Sequence, residues 1–471
     1  MSQVTVEKPQ VNPYARPADA IREPPKSWIG SLKFLGPSFI LIGSIVGSGE
    51  LILTTSFGAM IGFAGLWFIL TACVCKTIVQ AELGRYTISS GDTCLEAFNR
   101  LPGPRYRVSW FVWLFILWQI PALINGGAIL GSTGQVLAVA FPILPQQGWA
   151  LVIAVVNVAL LLRGRYGFLE KTSLFMVISF SVITVFGAIA LQFTDRAVPL
   201  GLALEGLRVQ VAPLMATGML AVAVSTFAGT GVGGGELMAY TYWCVEKGYA
   251  RYAGEAEPGP DWVRRARGWI RVMQVDVWLA TLVFTVGTAA FFWLGAGILH
   301  PQGLVPSNNE MISTLQKIYT GSLGPWAAAL FLVGGFFVLY STIFSGTAGT
   351  ARLYADTLGV MKLVDFTDFH ARMRWIRIFT VVVPAIQATT FAMHAKPKSV
   401  LILTAATNGL LLPIITFATI WLRYRLTDRR IAPTYVTDIL LWACALFIMA
   451  VSAIFLWVEV PNQFNAAFGR H

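Results

Sequence analysis

The chain has 471 residues, 56% of them hydrophobic and only 12% charged, with a mean hydropathy of +0.67. A soluble domain carries about 25% charged residues, so the composition excludes an ordinary soluble enzyme or binding module and points to an integral membrane protein. The net charge of +11 does not mark a nucleic-acid groove, because the basic residues fall in short loops between apolar runs.

Residues 1–33 are polar and proline-rich, without an apolar signal region, and read as a disordered cytoplasmic tail. A spanning helix needs about 20 apolar residues. Eleven stretches are expected to form spans: 34–61, 63–81, 108–138, 148–162, 167–193, 211–243, 271–298, 323–346, 376–393, 398–422 and 436–458. The second follows the first so closely that 62–65 must be a tight turn. Within 247–271, Pro258-Gly259-Pro260 precedes a stretch alternating apolar and basic residues, Asp261 to Arg267. Either a short surface helix or a solvated loop fits it. The five cysteines include no Cys-x-x-Cys spacing and read as packing residues.

Loop charge sets the orientation. With the amino terminus inside, the inner segments hold 27 Lys and Arg, the outer ones six, and Lys76 alone lies within a span. This bias obeys the positive-inside rule. It places the protein in the cell (inner) membrane, with the amino terminus cytoplasmic and the carboxyl terminus outside.

Two segments repeat one another. Gly43 to Thr55 reads GSIVGSGELILTT, Gly229 to Thr241 reads GTGVGGGELMAYT, and at an offset of 186 seven of thirteen positions are identical. They lie in the first and sixth spans, which cross in opposite directions. The pattern is that of an inverted repeat with matching interrupted helices. The expected units are 1–33 as tail, 34–193 as spans 1–5, 194–425 as spans 6–10, and 426–471 as span 11 with the outer carboxyl terminus. Gly43, Gly47 and Gly49 crowd the first copy, with Ser48 a candidate helix cap. Gly233, Gly234 and Gly235 stand consecutively in the second, which costs about 3 kcal/mol of helix propensity against alanine. Both spans are expected to break there, freeing backbone groups that hydrocarbon cannot satisfy.

Each copy also carries a carboxylate, Glu50 and Glu236, at the start of the outgoing half-helix. Two readings stay open and are compatible. They cap the broken helices through the dipole, or they supply charge for a hard divalent cation or a coupling proton. Gln119, Asn125, Thr342, Ser345 and Thr347, polar within spans, either line a pathway or bond neighbouring helices. Asp276 sits near the inner end of span seven and reads as solvated. No histidine cluster, catalytic triad or phosphate loop appears, and the glycine pattern around Gly229 lies inside a span. An enzyme is not expected, and neither a cofactor nor a nucleic-acid partner is implied. The partners are the bilayer and a small cation or solute.

These residues resemble a family. Gly36-Pro37, then Gly58-Ala59, Gly62-Phe63 and Leu66-Trp67, is similar to the opening of Nramp divalent-metal transporters. Glu82-Leu83-Gly84-Arg85 with Ser90-Gly91-Asp92 resembles their stretch after span two. Ser341-Thr342 with Gly346-Thr347-Ala348-Gly349 is similar to their eighth span. The resemblance implies an all-α, LeuT-like fold of eleven helices and alternating-access transport of a divalent metal, often with protons. It also implies where the site lies. Where the family has Asp-Pro-Gly-Asn, this chain has Gly47-Ser48-Gly49-Glu50. Where it has Met-Pro-His-Asn, this chain has Gly233-Gly234-Gly235-Glu236. The family's backbone carbonyl ligand falls at Thr230, and the polar residue nearest its span-ten glutamine is Asn408. Aspartate and methionine ligands are therefore replaced, leaving Glu50 and Glu236 as the expected metal ligands, with Gly47, Thr230, Gly233 and Asn408 around them. Without a thioether, such a site suits Mn²⁺ or Mg²⁺. A transporter of a non-metal solute, or a membrane sensor or scaffold on the same fold, stays open.

Overall fold

The computed structural model describes residues 12–163, 166–194, 197–216, 218–306, 311–393 and 397–459. Helix dominates them, as the long apolar runs require. In chain order the main helices are α1 (Pro37–Ile45), α2 (Thr55–Ile61), α3 (Leu66–Ser90), α4 (Trp110–Ala140), α5 (Gln146–Arg163), α6 (Tyr166–Leu191) and α7 (Met219–Gly229). They continue with α8 (Gly234–Lys247), α9 (Pro260–Leu294), α10 (Ala327–Val360), α11 (Phe369–Met393), α12 (Pro397–Arg425) and α13 (Tyr435–Ile454). Among the described residues, eight helical segments are long and apolar enough to cross a membrane. The first and sixth expected spans are each split, into α1 and α2 and into α7 and α8, with halves too short to cross singly.

Local chemistry explains the joints. Gly62 turns the chain between α2 and α3 with φ of +64°, in a 3-10 turn over Gly62–Gly65; only glycine adopts that conformation without strain. Pro260 opens α9 at a position where its missing N–H costs nothing. The stretch Asp261 to Arg267 is thus the first two turns of the span itself rather than a separate surface helix or loop. The tail also has a defined path from Asn12 onward. Tyr14 donates to Glu246 (2.8 Å), Trp269 donates to the Arg22 carbonyl (3.0 Å), and Ser27 caps the short helix Trp28–Leu32. Aromatic and cap contacts of this kind hold a polar, proline-rich segment against the protein. Residues 1–11 lie outside the described ones.

Asp276 departs from its sequence reading. It is fully buried in α9, and its carboxylate accepts the backbone N–H of Gly36 and Ser38 (both 2.8 Å). It therefore caps the start of α1, where the dipole favours negative charge. The five cysteines are buried and free of disulfides. Large apolar side chains such as Leu117, Phe175, Leu282 and Val333 face outward, as a lipid-facing surface requires.

Candidate functional site

The first break is narrow. α1 ends at Ile45, Val46 leaves helical geometry with ψ of 84°, and a π-helical turn over Gly49–Thr54 leads into α2. Ser48 makes no side-chain cap. Glu50 takes that role: its Oε2 accepts the Gly47 N–H (3.2 Å). The other oxygen leaves the span. Oε1 accepts the N–H of Gly231 in the second break (2.9 Å) and the Thr288 hydroxyl of α9 (3.4 Å). A fully buried carboxylate is thus satisfied by two amides and a hydroxyl drawn from three segments. The threonines Thr54 and Thr230 add a hydroxyl contact of 2.7 Å between the breaks.

The second break is open. α7 ends at Gly229, Thr230 is extended (φ −97°, ψ 137°), Gly231 has φ of +64°, and α8 starts after an extended Gly233. The glycines serve close approach. A Cβ on Gly49 would strike the Gly229 carbonyl, and one on Gly47 would strike the Thr342 hydroxyl. A Cβ on Gly233 would stand 2.6 Å from Glu236 Oε2, so the Glu236 carboxylate folds back over the start of its own helix. Glu50 thus accepts amides at both breaks, while Glu236 stands over the first turn of α8.

They part in what they face. Glu236 is half-buried and borders a cavity of about 130 Å³, whereas Glu50 does not reach its wall. Gln119, Asn125, Thr342, Ser345 and Thr347, singled out in the sequence, all line this cavity. Ser345 and Thr347 also bond neighbouring helices, through Ser173 (3.0 Å) and Asn157 (3.2 Å), as the second reading of them expects. Trp118, Trp243 and Gln387 complete the wall and were not singled out. Gln119 Nε2 is buried there with no hydrogen-bond partner in the protein. The side chain of Asn408, in α12, lies outside the described ones. Among the described residues no group of three or more His, Cys, Asp and Glu is arranged to hold a metal.

Lys76 was also missed as a site residue. It is fully buried in α3, and its ammonium donates to the carbonyls of Phe227 (2.6 Å) and Thr230. The Thr230 carbonyl, an expected cargo ligand, is thus already engaged. The signal was present, since Lys76 is the basic residue that loop counting could not assign.

Comparison with known proteins places this geometry. The family model described as natural resistance-associated macrophage protein-like, Nramp, matches residues 39–458. The chain belongs to the Nramp family. The divalent metal cation transporter MntH of Bacillus subtilis is 22% identical over 447 residues, covering 94% of this chain and 95% of that protein. The crystal structure of the Eremococcus coleocola manganese transporter, with an aromatic bis-isothiourea compound bound, superposes with a TM-score of 0.69. It shares 13% identity and covers 94% of this chain and 90% of that one. MhsT in complex with L-phenylalanine superposes with a TM-score of 0.53 at 15% identity, covering 92% and 99%. The LeuT-like fold and the membrane setting are thereby established.

Proposed function

We propose that this Nramp-family chain is an alternating-access transporter of a divalent cation, Mn²⁺ or Mg²⁺, held partly hydrated. In this reading Glu236 is the carboxylate that meets the ion, and Glu50 clasps the two breaks together. The carrying observation is Glu236 at the opening turn of α8, facing a cavity whose wall joins amide and hydroxyl groups to apolar side chains such as Trp118, Ile129 and Trp243. Oxygen ligands of this kind suit hard ions. At about 130 Å³ the cavity is well below the ~300 Å³ at which pockets for organic ligands begin. Size therefore favours a small hydrated ion over an amino-acid-like solute. A proton on Glu236 is the coupling ion this arrangement offers, because metal and proton would compete for the same oxygens. The reading includes eleven crossings, the halves 34–193 and 194–425 as inverted repeats, and a cytoplasmic amino terminus.

The test is titration of the reconstituted chain with Mn²⁺, Mg²⁺ and Ca²⁺, paired with uptake into liposomes. Glu236→Gln is expected to weaken Mn²⁺ binding at least tenfold, while Glu50→Gln mainly lowers thermal stability. Folded protein that neither binds nor moves any divalent ion overturns the proposal.

A further inference from the structure

Lys76 occupies an unusual place. Its ammonium sits where α7 ends, on the carbonyls of Phe227 and Thr230 and over the Phe227 ring (5.1 Å). The last carbonyls of a helix lack partners and carry the negative end of its dipole, so this is a position made for a cation. Glu50 accepts the N–H of Gly231, the residue after Thr230, so a carboxylate and the ammonium engage adjacent residues of the same break. The two carbonyl oxygens stand in for part of its hydration shell.

We propose that Lys76 is a tethered cation. It fills the carbonyl end of the ion site with the protein's own ammonium, confines cargo to the Glu236 side, and sets the charge that cargo meets. The claim about cargo rests on the divalent-cation reading above; the claim about the carbonyl position does not. In charge terms, Glu236 faces the cavity, while Glu50 and the ammonium stand off its wall and act on the ion only through their charge. A site without Lys76 would present one more unit of negative charge and two carbonyl oxygens open to a small cation. Lys76 is thus a specificity-determining residue, acting through charge and through occupancy of the Phe227 and Thr230 oxygens.

A plain helix-cap lysine would make the same hydrogen bonds, so the experiment must separate the roles. The full chain in detergent, as wild type, Lys76→Met and Lys76→Met/Glu50→Gln, is melted in sodium chloride, choline chloride and sodium chloride with Mn²⁺. Lys76→Met is expected to gain stabilisation by Na⁺ or Mn²⁺ over choline that the wild type lacks at those positions. Its Mn²⁺ affinity is expected to rise roughly tenfold or more, since a fixed like charge has been removed. The double variant, which loses one charge of each sign, is expected to be more stable than Lys76→Met alone, or to fold where the single variant does not. Overturning results are a Lys76→Met protein with wild-type cation dependence and affinity, or a double variant whose losses simply add. If the wild type binds no divalent ion yet Lys76→Met gains Na⁺ dependence, the cargo reading falls while the tethered cation stands.

Discussion

Glu50 and Glu236 sit at equivalent places in the sequence and do different work. Glu50 is locked by Gly47, Gly231 and Thr288, whereas Glu236 turns toward a cavity. Glu50→Ala strands two buried amides, each worth roughly 1–3 kcal/mol. We expect a thermal-melt loss of several degrees or failure to fold, while Glu236→Ala stays close to wild type in stability. Gly49→Ala is a second check, because its methyl collides with the Gly229 backbone and backbone cannot swing aside as a flexible side chain does. Its melting temperature should fall more than that of Gly235→Ala, where the nearest obstacle is the Trp118 ring at 3.2 Å. The duplicated phrase revealed these residues, but not which partner each would find. Spacing along a chain fixes the face of a helix, while the Gly231 amide reaches Glu50 across 181 positions.

At the scale of elements, the breaks were readable because glycine runs and buried carboxylates are costly in an apolar helix. What could not be read was their supports. Asp276 looked solvated because it lies near a predicted span end, yet it caps α1 by accepting two amides. Such a cap is worth about 0.5–2 kcal/mol. Asp276→Ala should destabilise the protein by about that amount, measured by denaturant or thermal unfolding, and Asp276→Asn by less, since one amide oxygen still accepts. The helix α9 also starts some eleven residues before the expected span, because an N1 proline and an amphipathic first turn extend a helix beyond the apolar stretch that hydropathy detects.

At the scale of the molecule, the cavity runs along α8 past Trp243 toward Leu353, the end that carries ionic closures. Arg352 meets Glu246 with two contacts (2.5 and 2.8 Å) and lies over the Trp243 ring (4.5 Å). Tyr14 bonds the same glutamate (2.8 Å). One turn further along α10, Asp356 binds Arg372, Thr93 and Tyr242, each at 2.6 Å. These contacts tie α8, α10 and α11 at one face. Arg352→Ala should loosen that closure, because the remaining Glu246 is left without its charge partner. An engineered Thr350→Cys is then expected to react several-fold faster with a membrane-impermeant thiol reagent applied from the side that carries Arg352 and Glu246; an unchanged rate would count against this face as the gate. The fold class and the two helix breaks were legible because they follow from apolar length and from the repeat. The closures were not: Glu246 and Arg352 lie 106 positions apart, Asp356 and Arg372 only 16, and sequence shows charges without their partners at either distance.

The close approach of Gly47 to Thr342 has a consequence for what either position can become. A Cβ at position 47 would meet the Thr342 hydroxyl in the facing helix. Gly47→Asp alone should therefore misfold or lose stability, and Gly47→Asp with Thr342→Ala should recover part of it. The two positions, on different helices, are then expected to be epistatic: whether a side chain is harmful at one depends on what already stands at the other.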